Sequence, residues 1–279
     1  MASVRASASA PLYPVSPTKI GTWLDCPRRF LLQYVEKRRV PAQWAHLSLG
    51  NAIHDTLRDW WDIPRGERSR ARLAELIALR WRREGFRDAE QSDMWRANAE
   101  TMIWHYLGQL DPGFEPVGRE RSLAARTDAT AIRGRIDRLD ADPGNPDALI
   151  VVDYKTGRRV PSDDEVRGSL ALAIYAMCVQ QTLRRPCTRV ELHHVPSGVR
   201  VGRDLAPEAI ERQRRRIEQI GSEMSTAEAA WRADGDDDAH FPPNPGPLCG
   251  WCDFRSQCPQ GEAAAPAQPP WAGLPDAEG

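Results

Sequence analysis

Residues 149–152, Leu-Ile-Val-Val, run without a polar break into Asp153-Tyr154-Lys155-Thr156-Gly157, shortly after the turn Asp-Pro-Gly-Asn-Pro at 142–146. A short continuous apolar run bounded by a turn is a strand buried on both faces, and such a strand needs a covering layer on each side. An all-α fold is thereby set aside in favour of α/β. The run also ends on an acid and a base. Alternate residues of a strand share a face, so Asp153 and Lys155 point one way while Val152 and Tyr154 point the other. An unpaired carboxylate and ammonium at the end of a buried strand are expensive, which separates this Asp-x-Lys from the ordinary salt bridge of a surface hairpin.

The remaining pattern surrounds this strand. Ser16-Pro17 is a helix-start signal, and helical spacing continues through residues 47–63, 70–84 and 88–110. Asp111-Pro112-Gly113 ends the helical part, after which 119–125, 130–140 and 149–154 read as strands, 163–183 as a helix, 190–195 and 199–204 as a strand pair, and 207–233 as a long polar helix. One domain over residues 16–260 is expected, made of a helical part (16–110), a sheet with its helix (111–206), and a helix leading to a cysteine cluster (207–260). Residues 1–15 read as a flexible arm and the Ala/Pro-rich 261–279 as a disordered tail.

Charge narrows the function classes. The 38 basic residues are matched by 39 acidic ones, a net charge of −1, which argues against nucleic-acid binding by bulk charge alone. Of those 38, only 3 are lysine (Lys19, Lys37, Lys155) and the other 35 are arginine. A position that keeps the compact ammonium in so Arg-rich a chain invites a chemical explanation. No lysine sits in the Gly-Lys-Ser/Thr context of a phosphate-binding loop, so no ATPase motor of that type is encoded. No membrane-length apolar run or secretion signal is present, and a cytoplasmic location is expected.

The strand ending in Lys155 follows Gly134-Arg135-Ile136-Asp137-Arg138-Leu139-Asp140. If the two strands form a hairpin, Asp137 reaches the point at which Asp153 and Lys155 aim. Two carboxylates, with the Tyr154 backbone carbonyl as a natural further ligand, suit a hard divalent cation. Such a site activates water against a phosphodiester, and the lysine positions that water or offsets charge developing on the phosphate.

These segments, taken in order, resemble the PD-(D/E)XK nuclease superfamily in its RecB-like exonuclease branch. The matching stretches are Ser-Pro-Thr-Lys-Ile (16–20) with Cys26-Pro27, Gly50-Asn51-Ala52-Ile53-His54, the Asp137 strand, Val-Asp-Tyr-Lys-Thr-Gly (152–157), the helix carrying Tyr175, and Cys249-x2-Cys252-x5-Cys258-Pro259. The resemblance implies a restriction-endonuclease-like core, a mixed central sheet flanked by helices. It implies Mg²⁺ or Mn²⁺ held by Asp137 and Asp153, Lys155 as the catalytic lysine, His54 approaching the metal from a helix, and Tyr175 beside the site. A helical histidine amid Ile53 and Leu57 is more often a core residue; Gly50, which allows close helix packing, and the resemblance favour the metal. His46, His105, His193, His194 and His240 have no such support and are expected to be structural or at the surface. DNA, single-stranded or at ends, is the implied substrate, repair or recombination the implied setting, and a helicase a possible partner. Many relatives carry Gln four residues before the tyrosine, where this chain has Ala171. The substitution opens an alternative: a weakly active or inactive DNA-binding scaffold of the same fold.

Cys26, Cys249, Cys252 and Cys258 supply four thiolates for either a structural Zn²⁺ or a [4Fe–4S] cluster. The one-plus-three spacing and the prolines after Cys26 and Cys258 favour iron–sulfur, and the pattern resembles the clasp of AddB-type and CRISPR-associated relatives. Arginines at 65–87 and at 133, 135 and 138 are candidates for phosphate contacts, and Trp60, Trp61 and Trp81 for base stacking, although each group is equally the material of a solvated face or a core.

Overall fold

The computed structural model describes residues 11–40, 43–187 and 189–276. Its centre is a six-stranded mixed sheet: β1 (Tyr13–Val15), β2 (Gly118–Arg126), β3 (Thr130–Asp142), β4 (Asn145–Lys155), β5 (Arg189–His194) and β6 (Arg200–Asp204). The order is β1-β3-β4-β5-β6, with β2 also paired to β3. The β1–β3 and β4–β5 pairs are parallel and the others antiparallel.

The apolar run does what its composition demands. Leu149 and Val151 enter one core with Leu172, Ile174 and Ile217, while Ile150, Val152 and Tyr154 enter a second with Ile53, Leu57 and Ile103. The first core is closed by α1 (Pro17–Asp25), α7 (Leu170–Cys178) and α8 (Pro207–Asp234). The second is closed by α3 (Ala45–Trp60), α4 (Arg70–Arg80) and α5 (Ala89–Gly108). The fold is α/β, a mixed sheet flanked by helices. Shorter helices are α2 (Pro27–Phe30), α6 (Asp163–Gly168), α9 (Asp237–His240) and α10 (Pro259–Ala264).

Ser16 accepts the Lys19 amide and Pro17 follows it, as the start signal requires. Three expectations fail. Residues 13–15 of the expected arm form β1, because β3 extends beyond its pairing with β4 and leaves that edge free at Thr130–Ile132 while β2 holds the other; residues 1–10 lie outside the described residues. The helix expected at 163–183 is interrupted at Ser169, whose extended backbone ends α6 while its hydroxyl accepts the Leu172 amide and starts α7. The expected disordered tail is held to the second core. Ala45 N–H donates to Pro270 O, Gln91 Nε2 to Leu274 O, and Leu274 is 4% exposed. One apolar anchor and paired backbone outweigh the Ala/Pro composition; residues 277–279 lie outside the described residues. Among the described residues no helix is long and apolar enough to cross a membrane.

Candidate active site

The site forms where the sheet comes apart. The β3–β4 ladder stops with Arg138 opposite Val152. One residue further on, Asp137 replaces the ladder with its side chain: its Oδ2 accepts the Tyr154 amide at 2.8 Å. Asp153 and Lys155 share a face, and Lys155 Nζ lies 2.5 Å from Asp153 Oδ2. Tyr154 points the other way and packs edge-on to Tyr106 and His54. The predicted alternation is thus present.

His54 reaches the opening from α3, with Nδ1 3.3 Å from Asp137 Oδ1. One turn earlier, a Cβ on Gly50 would stand 3.1 Å from Thr156 Oγ1, so a bare backbone lets α3 approach the end of β4. Tyr175 comes from α7 on the other layer. Its ring lies on Gly134, where a Cβ would meet ring carbons at 3.0 and 3.1 Å. The structure therefore brings together Asp137, Asp153, Lys155, His54 and Tyr175.

It adds Glu120, which sequence reasoning missed. Glu120 lies on β2 opposite Asp137, between the Arg119–Arg138 and Arg121–Ile136 pairs, and leaves the ladder at φ 45°. A left-handed conformation is costly for a side chain larger than Asn or Gly, and strain of this kind collects at functional sites. His54, Glu120 and Asp137 each offer a ligand atom within 4.8 Å of the others. The signal lay in the hairpin: a short β2–β3 turn that pairs Arg126 with Ala131 fixes Glu120 opposite Asp137.

Electrostatics agree with a cation site. Burial, then the Asp137 charge, raises the Asp153 pKa, with Lys155 and His54 opposing. Glu120 is raised by burial and Asp137. Burial disfavours the charged form of His54, yet its hydrogen bond to Asp137 and the charges of Asp137, Asp153 and Glu120 prevail and raise its pKa. Burial, Asp153 and Asp137 raise the Tyr175 hydroxyl. Asp137, Asp153 and Glu120 crowd beside His54, Lys155 and Arg135, the last paired with Glu120, and burial still raises Asp153 and Glu120; the donor set of two carboxylates and a histidine fits a divalent cation.

His54, Glu120 and Asp137 open into a cleft of 1190 Å³ lined also by Arg29, Arg82, Arg135, Arg158 and Arg159. Within the cleft Arg29 pairs with Asp253, Arg82 with Asp55, Arg135 with Glu120 and Arg159 with Glu165. Other arginines expected to meet phosphate are paired outside it. Arg65 and Arg68 pair with Glu115, Arg70 with Glu100, Arg80 with Asp59 and Arg83 with Asp93. Arg138 is buried under the sheet on Asp140 and Tyr106. Trp60 and Trp61 are core residues, and Trp81 is bonded through its indole N–H to Ser92. Of the histidines left without a role, His46 lines the cleft, while His194 is buried and bonded to the Gly157 carbonyl at 2.6 Å.

Cys26, Cys249, Cys252 and Cys258 line one small cavity between the start and end of the chain. Amides of Asn244, Gly246 and Gly261 donate to the sulfurs of Cys26, Cys249 and Cys258, each at 3.4 Å. Among the described residues no three of these sulfurs lie within 4.8 Å of one another. Four thiolates on a single Zn²⁺ would stand about 3.8 Å apart, so a compact single-ion site is not formed. Burial raises the Cys252 thiol. Cys178 and Cys187 lie in the first core.

No curated protein matches this sequence. Among solved structures, a putative exonuclease from Eubacterium rectale is similar at 7% identity and a TM-score of 0.49, over 77% of this chain and 81% of that one. The crystal structure of SSO0001 is similar at 13% identity and a TM-score of 0.42, over 91% of this chain and 89% of that one. The sequence pattern of one family matches residues 14–259, a span that includes every side chain of the site described above. The chain belongs to the PD-(D/E)XK nuclease superfamily.

Proposed function

We propose that this protein is a metal-dependent deoxyribonuclease of the RecB-like exonuclease branch, hydrolysing phosphodiester bonds in DNA repair or recombination. The observation that carries it is the meeting of Asp137, Asp153, Lys155, His54 and Glu120 at the parted end of the sheet, within an Arg-lined cleft. Asp137, Glu120 and His54, with Asp153 and the Tyr154 carbonyl, would hold Mg²⁺ or Mn²⁺. The bound ion supplies Lewis-acid activation of water and phosphate. Lys155 holds its ammonium beside Asp153, where it orients the attacking water and meets negative charge as it develops on the phosphate. His54 and the Tyr154 amide fix the two Asp137 oxygens, so that carboxylate is set before substrate arrives. Arg135, Arg158 and Arg159 offset the repulsion between carboxylates and a phosphate backbone.

The one-plus-three spacing of Cys26, Cys249, Cys252 and Cys258 and the prolines after Cys26 and Cys258 favour a structural [4Fe–4S] cluster over zinc. The four cysteines line one small cavity, and backbone amides donate to three of the sulfurs, as the thiolates of a cluster accept them.

The test is digestion of end-labelled and circular single-stranded DNA by anaerobically purified protein with Mg²⁺ or Mn²⁺. Linear DNA is expected to be degraded, and Asp153→Ala or Lys155→Ala to lower the rate about a hundredfold or more. Cleavage unaffected by either substitution would sink the assignment. A second reading rests on Ala171, which leaves the turn of α7 before Tyr175 without a polar side chain: a DNA-binding scaffold that lends its fold to a helicase partner. DNA binding with no cleavage under any metal would favour it.

A further inference from the structure

The cleft has an aromatic wall as well as a charged one. Trp44, just before α3, and Trp251, between Cys249 and Cys252, approach with ring centroids 5.4 Å apart, and His46 lies 6.0 Å from each. All three line the cleft that holds His54, Glu120 and Asp137. Trp44 is fixed in orientation: its indole N–H donates to Asp253 Oδ1 at 2.6 Å, and Arg29 pairs with the other oxygen of Asp253. Beside these rings Leu47 is 49% and Leu248 69% exposed, and both face the same cleft. Exposed leucines next to half-covered tryptophans, in a cleft that also carries arginines, make a surface both apolar and cationic.

We propose that Trp44 and Trp251, flanked by Leu248, form a platform on which an unpaired base of a single DNA strand stacks while the cleft arginines hold its phosphates. The proposal rests on the nuclease assignment for the identity of the strand as DNA. The cleft arginines offer contacts to phosphate, and the aromatic wall selects a strand whose base faces are free. In a duplex the face of each base is covered by its neighbours, so a base reaches this wall only from an unpaired strand. Phosphate contacts alone do not distinguish duplex from single strand; the platform does. Because Trp251 and Asp253 bracket Cys252, the cysteine clasp sets the position of the platform.

The experiment compares equilibrium binding, in EDTA and with the full chain, of a labelled oligothymidylate and a fully abasic oligonucleotide of equal length. Wild type is expected to prefer the base-bearing strand about tenfold, the scale of one stacked base. Trp44→Ala and Trp251→Ala should erase that preference, and Trp251→Phe, which keeps an aromatic face, should retain most of it. Equal binding of the two oligomers by wild type overturns the platform, as does equal weakening of both by Trp251→Ala with no rescue by Trp251→Phe. Cleavage with Mn²⁺, assayed separately, judges the other assignment. A base preference without cleavage sinks the nuclease and keeps the platform, whereas cleavage without base preference does the reverse.

Discussion

Asp153 is a buried carboxylate paired with Lys155, with Asp137 close enough to raise its pKa. Lys155 is half in water, so the pair returns little of the cost of burying the acid. If the proposed cation binds here, it would offset this local cost. Asp153→Asn is expected to stabilise the metal-free protein by about 1 kcal/mol while abolishing cleavage. Thermal unfolding in EDTA and in Mn²⁺ checks both halves: wild type should gain stability with the ion and the variant should gain little. An Asp153→Asn protein less stable than wild type in EDTA would mean that the ion pair, not the cation, compensates the buried charge. Asp153, Lys155 and Asp137 were legible because strand alternation and a chain nearly devoid of lysine marked them. His54 was legible through Gly50 and the family resemblance. Glu120 was not, because its meaning depends on cross-strand register and on a left-handed φ that no local pattern in Arg-Glu-Arg announces.

At the scale of elements, the two faces of β3 and β4 carry different chemistry. One face bears the carboxylates. The other buries Arg138, 2% exposed, whose guanidinium donates to Tyr106 Oη at 2.8 Å and to Asp140 Oδ2 at 2.9 Å and lies 5.0 Å from the Phe114 ring. Tyr106 in turn bonds His193 Nδ1 on β5, and His193 Nε2 meets Glu191. The network ties α5 to β3 and β5 directly behind the candidate active site. Reading Arg138 as a phosphate contact failed because flanking Asp137 in sequence means facing away from it in a strand. Arg138→Ala leaves Asp140 buried without its cation and is expected to cost about 3–5 kcal/mol, measurable by urea unfolding. The same network sets a pH response. Burial first, then Arg138 and Arg200, depress the His193 pKa from 6.5 to about 4, with Glu191 opposing. As pH falls below 6.5 the unfolded chain takes up a proton that the folded chain refuses until about 4. The contribution of His193 is thus complete above 6.5 and is lost as pH falls through that window. Stability should drop by about 2 kcal/mol between pH 7 and pH 5, and His193→Gln should flatten the slope; an unchanged slope in the variant would assign the acid sensitivity to other groups.

The whole molecule is a sheet between two helical layers with its chain ends drawn together, and sequence periodicity revealed the layers better than the closure. Helical spacing and the 149–152 run located α3, α4, α5, α8 and the central strands because each buries a regular face. β1 and the 265–276 segment escaped notice because each is held by a few backbone hydrogen bonds and one or two apolar anchors, which composition does not register. The cysteines connect these ends. Cys26 caps α2, Arg28 from that helix reaches Asp238 and the Phe241 carbonyl, and Cys249, Cys252 and Cys258 follow within the same surroundings. A cluster bound there closes a loop around the sheet, the helices of both layers and the active site, so its loss acts on the entire fold. Cys252→Ser is expected to lower stability by about 3 kcal/mol, or about 10 °C in melting temperature, and to bleach the brown colour of anaerobically purified protein. Stability is the discriminating readout, because a redox role would change activity with oxidation state and leave melting unaltered once the cluster is present. A colourless wild-type protein carrying one zinc would overturn the cluster assignment. If the clasp also positions Trp251, the same Cys252→Ser protein should lose its preference for base-bearing over abasic DNA at temperatures where it remains folded. That joint loss would link the cysteine segment to the candidate cleft through Trp251, the residue before Cys252.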